Sequence, residues 1–200
     1  MKNVGGMVKL GLILGVFATA ACVMLSFVYI GTSKIIAERE EADLQAALKE
    51  IFPEADGFEA AEGLASPDDS VRIHSAFQAI RGGRPVGVAL RLSRGGYSGP
   101  ITMMVGVSAE GIITGLTILG HSETPGLGAN AASKSFFVDR ARGVTFYGQF
   151  AGKKASDPLE VKGDVVAITA STVTSRAVAA AVKAAGLAVA AWFAGSGGAR

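Results

Sequence analysis

From residue 10 to residue 30 the chain carries no charged side chain. At a helical rise of about 1.5 Å per residue that run reaches about 30 Å, the hydrocarbon thickness of a bilayer, and a membrane-spanning helix is predicted there. The pattern changes over residues 35–52. There Ile36, Leu44, Ala47, Leu48 and Ile51 fall near one helical face with charges opposite, and Pro53 ends the helix. Residues 54–69 turn to Ala, Gly, Pro and acid and read as a loop. Residues 71–80, 85–92, 101–107 and 112–119 then alternate or run apolar at strand length, separated by short glycine-containing turns. Four consecutive strands so closely joined predict an antiparallel meander, because parallel strands need long crossovers. Residues 175–193 repeat Val178, Val182, Ala185, Val189 and Phe193 at intervals of three or four, a helical stripe. Lys183 and the high alanine content favour a helix covering the sheet over a second span.

The pattern therefore predicts an α+β protein: one N-terminal transmembrane helix, then a domain with a mainly antiparallel sheet and covering helices. The divisions are a cytoplasmic tip and anchor at 1–33, a linking helix at 34–53, a domain at 54–194 and a tail at 195–200. A cleaved signal peptide is the competing reading of the N-terminus, since Ala-Thr-Ala-Ala-Cys stands at 18–22. The chain stays apolar after Cys22, which favours an uncleaved anchor.

Composition narrows the function. The sequence holds 19 Lys and Arg against 17 Asp and Glu. Lys2 and Lys9 precede the span with no acidic residue near them, so the positive-inside bias keeps the N-terminus in the cytoplasm and places the domain outside. Without those two lysines the domain is formally neutral, which excludes an electrostatic nucleic-acid binder. The single cysteine, Cys22, lies in the span, and the only histidines are His74 and His121. No disulfide, thiol nucleophile or metal site is expected in the domain, and no catalytic residue.

Two stretches carry more chemistry than connectors need. Residues 121–129, HSETPGLGA, pack an imidazole, a carboxylate, two hydroxyls and two glycines beyond a strand. As a turn they need no further explanation; as a loop on a rigid scaffold they could contact a ligand. Residues 169–175, TASTVTS, hold five hydroxyls between the apolar run 165–168, read as the end of a strand, and the predicted helix. One hydroxyl suffices for an N-cap, and a helix N-terminus also favours a phosphate. A Ser-His-Asp hydrolase is disfavoured because no Gly-x-Ser-x-Gly elbow is present.

With the N-terminal anchor, GYSGPI at 96–101, HSETPGLGA at 121–129 and TASTVTS at 169–175, the chain resembles the FMN-binding domain of the G subunit of the Rnf electron-transport complex. It also resembles a relative of that protein, the C subunit of the sodium-translocating NADH:quinone reductase. The resemblance covers nearly the whole chain. It implies a covalent FMN, held as a phosphoester on Thr174, with Thr169, Ser171, Thr172 and Ser175 around it. His121, Glu123, Thr124, Gly126, Leu127 and Gly128 are implied to contact the ring or ribityl groups, so that substituting His121 or Glu123 is expected to leave attachment intact. Departures from the family's pattern are Ala170 in place of glycine, Ser171 in place of alanine, and Val166 where an acidic residue is usual. The implied function is an electron-carrying subunit, without activity alone, in an inner-membrane complex coupling ferredoxin/NAD-type electron transfer to ion transport. Its implied partners are the other subunits and a flavin transferase, with the domain on the periplasmic side. The alternatives are the quinone-reductase subunit and a cofactor-free, membrane-tethered assembly module.

Overall fold

A computed structural model describes residues 4–195. Lys2 and all of the expected tail except Gly195 lie outside the described residues. The first element, α1 (Val4–Ile51), joins the predicted span and the predicted linking helix in one helix. The polar residues between them do not interrupt it. Thr32 Oγ1 donates to the Val28 carbonyl at 2.8 Å and Ser33 Oγ to that of Ile30 at 3.2 Å, so both hydroxyls turn back onto the helix rather than capping a new one. Two compact units are distinguished, one through Leu44 and one from Gln45 onward. In the first, the apolar residues from Met7 to Ile30 are exposed, as lipid-facing side chains of a span should be.

The second unit is built on a five-stranded antiparallel sheet in chain order: β1 (Gly57–Ala60), β2 (Val71–Arg81), β3 (Arg84–Gly95), β4 (Pro100–Ser108) and β5 (Ile113–Gly120). The predicted meander is observed, with β1 added at one edge inside the stretch read as a loop. Alternation gives the sheet two buried faces. Val88, Leu90 and Leu92 of β3 and Ile101, Met103, Val105 and Val107 of β4 face the final helix, α2 (Thr172–Ala194), whose Val178, Val182, Ala185 and Val189 are buried against them. The C-terminal stripe is thus part of the core. On the other face lie Gly87, Gly106 and Gly115, and the last residues of α1 settle on them. A Cβ at Gly106 would collide with Ile51 Cγ2 and with Thr114 Oγ1, and one at Gly87 would stand 2.7 Å from the Phe52 ring. Leu48, Ile51 and Phe52 are buried there.

Between β5 and α2 the chain forms only two 3-10 turns, at Gly128–Ala132 and Gly148–Phe150, and a small hairpin of β6 (Phe137–Asp139) and β7 (Val144–Thr145). This long segment is anchored by Phe146 and Phe150, both fully buried and packed edge to face at 5.8 Å. Residues 165–168 do not form the expected strand end; only Val165 bridges, to Val161. Their position is fixed by a side chain instead. The Gln149 amide accepts from Val166 N–H at 2.8 Å and donates to its carbonyl at 3.0 Å, satisfying backbone groups that a sheet partner would otherwise take.

Candidate functional site

Three stretches distant in sequence meet at the N-terminus of α2. Tyr97 comes from the β3–β4 turn, Glu123, Thr124, Leu127 and Gly128 from the loop after β5, and residues 170–174 from the start of α2. Together they line a cavity of about 400 Å³.

Glu123 ties the three together. Although it is a carboxylate, it is only 6% exposed. Its Oε1 accepts from the backbone N–H of Tyr97 at 2.7 Å and of Ser98 at 3.1 Å, and its Oε2 accepts from Thr174 Oγ1–H at 2.7 Å. Burial raises its pKa, but the Thr174 hydroxyl, the two N–H groups and the neighbouring His121 imidazole outweigh that and hold the carboxyl below its ordinary value. Two glycines make the space. A Cβ at Gly96 would stand 2.7 Å from Ile101 Cδ1 and strike Glu123 Oε1, and one at Gly128 would strike Glu123 Oε2 and stand 2.8 Å from Thr174 Oγ1. The 96–99 turn is closed by Gly96 N–H donating to the Gly99 carbonyl at 2.7 Å, which aims the next two N–H groups at the carboxylate.

The five hydroxyls have separate uses. Ser175 is fully buried; its Oγ donates to the Ser171 carbonyl at 2.9 Å and accepts from Ile168 N–H at 3.0 Å, so it stays out of the cavity. Thr174 is buried at the cavity floor and bonded to Glu123. Ser171 and Thr172 line the cavity, while Thr169 is exposed outside it. None of them caps α2: Ser171 occupies the N-cap position without a side-chain bond, which leaves the first-turn N–H groups for an anion. Ala170 precedes with φ +60°, the left-handed conformation that glycine adopts freely, and so turns the chain into the helix.

Of the remaining predicted residues, His121 is exposed and its Nδ1 accepts from Glu123 N–H at 3.2 Å, outside the cavity lining. Gly126, at φ +77°, shapes the loop, and its carbonyl accepts from Asn130 Nδ2 at 3.0 Å. Asp164, close to where the family's acidic residue is expected, serves the fold: its carboxylate accepts from Glu160 N–H at 2.8 Å and pairs with Lys153 at 3.2 Å. Gln149 had no sequence signal, because a lone glutamine in an irregular segment has no spacing to mark it. Tyr97 was legible only through its motif.

A buried hydroxyl at an uncapped helix start, beneath a cavity of mixed polar and apolar lining with Gly128 at its wall, leaves room for a phosphorylated ligand at that end. Residues 96–186 match the family model of the FMN-binding domain, and residues 1–51 match that of the RnfG N-terminal region. The chain is 32% identical to the G subunit of the Na(+)-translocating ferredoxin:NAD(+) oxidoreductase complex of Acetobacterium woodii, over 87% of each chain. It is 32% identical to the G subunit of the ion-translocating oxidoreductase complex of Vibrio cholerae, over 88% of this chain and 86% of that one. To the G subunit of the proton-translocating ferredoxin:NAD(+) oxidoreductase complex of Clostridium ljungdahlii it is 30% identical, over 80% of each.

Proposed function

Since this chain belongs to the family of G subunits of ion-translocating oxidoreductase (Rnf) complexes, we propose that it carries FMN as a phosphoester on Thr174 and passes electrons within such a complex. The observation that supports attachment at this residue is the convergence of all three motifs on one buried hydroxyl. Thr174 Oγ1 is the anchoring atom. The uncapped first turn of α2 and the hydroxyls of Ser171 and Thr172 would hold the phosphate, and Tyr97, Thr124, Leu127 and Gly128 line the cavity that would take the rest of the flavin. Bound there, the flavin supplies one- and two-electron redox chemistry; the protein orients it and sets its surroundings. The match of residues 1–51 to the RnfG N-terminal region favours this complex over the quinone reductase.

Its partners are the other subunits of the complex and a flavin transferase that makes the bond. The domain faces the periplasm from the inner membrane, as the lysines ahead of the span direct. Intact mass after co-expression with a flavin transferase tests the reading. The wild-type chain gains one FMN less one water and fluoresces on a denaturing gel, and Thr174→Ala does neither. A Thr174→Ala chain that keeps covalent flavin overturns the assignment.

A further inference from the structure

We propose that Glu123 accepts the Thr174 Oγ1 proton as the flavin bond is made, so that the acceptor protein supplies a catalytic residue for its own modification. This rests on the reading of Thr174 as the attachment residue. The neighbouring Ser175 turns its hydroxyl back onto a local acceptor, the Ser171 carbonyl. Thr174 does not; its hydroxyl crosses to a carboxylate 51 residues away in sequence. Burying a carboxylate to restrain one hydroxyl is an expensive arrangement, since desolvation penalises the charge. The site nonetheless keeps it ionised, with Oε1 fixed by two N–H groups so that an Oε2 lone pair stays on the hydroxyl. An alcohol is a weak nucleophile until its proton has somewhere to go, and a carboxylate at hydrogen-bond distance takes that role for the substrate hydroxyl in protein kinases.

The step balances with one co-reactant. Joining a phosphomonoester to an alcohol would have to expel water, so the flavin must arrive activated, as a dinucleotide whose phosphate is part of a phosphoanhydride. The Thr174 Oγ1–P bond forms and the phosphoanhydride P–O bond breaks. The nucleoside monophosphate leaves with the bonding pair, the Oγ1 proton passes to Glu123 Oε2, and nothing is oxidised or reduced. On this proposal Glu123 acts before attachment, whereas the resemblance implied contact with the ring after it.

The test uses the full chain in detergent, purified without flavin, with a flavin transferase and flavin adenine dinucleotide as the probe. Covalent fluorescence is followed in time and the labelled residue mapped. Glu123→Gln keeps the shape and the Oε1 acceptor, but directs N–H at Thr174. Its kcat for labelling should fall at least about 100-fold, with KM for the chain unchanged. The ratio of wild-type to variant kcat should shrink as pH falls through the Glu123 titration, which a packing role would not produce. Gly128→Ala, whose methyl group would crowd both Glu123 Oε2 and Thr174 Oγ1 and so part the pair without removing either group, should lose about 100-fold in kcat as well. Wild-type kcat in Glu123→Gln, or a rise in KM alone, overturns the proposal. If Glu123→Gln does not melt cooperatively, Gly128→Ala decides, and wild-type kcat there overturns it. A flavin mapped to another residue of the wild-type chain refutes the attachment reading itself, while a flavin on Thr174 with unaffected variants refutes only the role of Glu123.

Discussion

Ala170 occupies the left-handed region at φ +60°, where its Cβ crowds the following carbonyl. The strain persists because Ile168 and Ser171 on either side are pinned, one by Ser175 Oγ and the other by the Ile168 carbonyl. Ala170→Gly should therefore raise stability by roughly 0.5–1 kcal/mol, the relieved strain exceeding the added freedom of the unfolded chain. A higher urea midpoint at unchanged slope is the expected result. Glu123 makes a second residue-level prediction. Its pKa is lower folded than unfolded, so it contributes stability that is fully present above the unfolded value of about 4.3 and is lost as pH falls through the folded value. Glu123→Gln removes that contribution, and urea midpoints should then vary less between about pH 6 and about pH 3 than they do in the wild type. The sequence made Thr174 and the 121–129 loop visible through the crowding of hydroxyls and glycines. It could not show that Glu123 and Thr174 are partners, because nothing local to either residue encodes a contact across 51 positions.

At the scale of elements, alternation located β2 to β5 to within a few residues, since each strand buries both faces or one face consistently. β1 escaped because four residues give too few alternations to rise above a loop composition. Residues 121–171 escaped for another reason: their order comes from side chains such as Phe146, Phe150 and Gln149 meeting distant backbone, and periodicity is blind to that. The glycines under α1 show the same limit. Gly106 sits in the middle of β4, where a glycine weakens a strand, and only the presence of Ile51 and Phe52 above it explains the choice. Gly106→Ala should destabilise the domain by about 1–3 kcal/mol, because Ile51 or Thr114 must move to admit the methyl group. Thermal melting of the full chain would read that loss.

For the molecule as a whole, the boundary of the folded domain lies inside a helix. The second unit begins at Gln45, and Ala47, Leu48, Ile51 and Phe52 belong to its core. A chain beginning at Gln45 should be soluble without detergent and melt in one transition. One beginning at Pro53 loses those four side chains, uncovers the face of the sheet that carries Gly87, Gly106 and Gly115, and should aggregate or melt with a loss of at least about 3 kcal/mol. Equal stability of the two would place the boundary at Pro53 after all.

The same packing sets an order of events during synthesis. Ile51 and Phe52 are among the first residues of the domain to leave the ribosome, yet the surface that buries them is complete only when β5 has followed through Gly115. In that interval two apolar side chains wait unburied. A nascent chain halted before β5 should therefore expose residues 51 and 52 to protease or to a holding chaperone, and one halted beyond it should protect them.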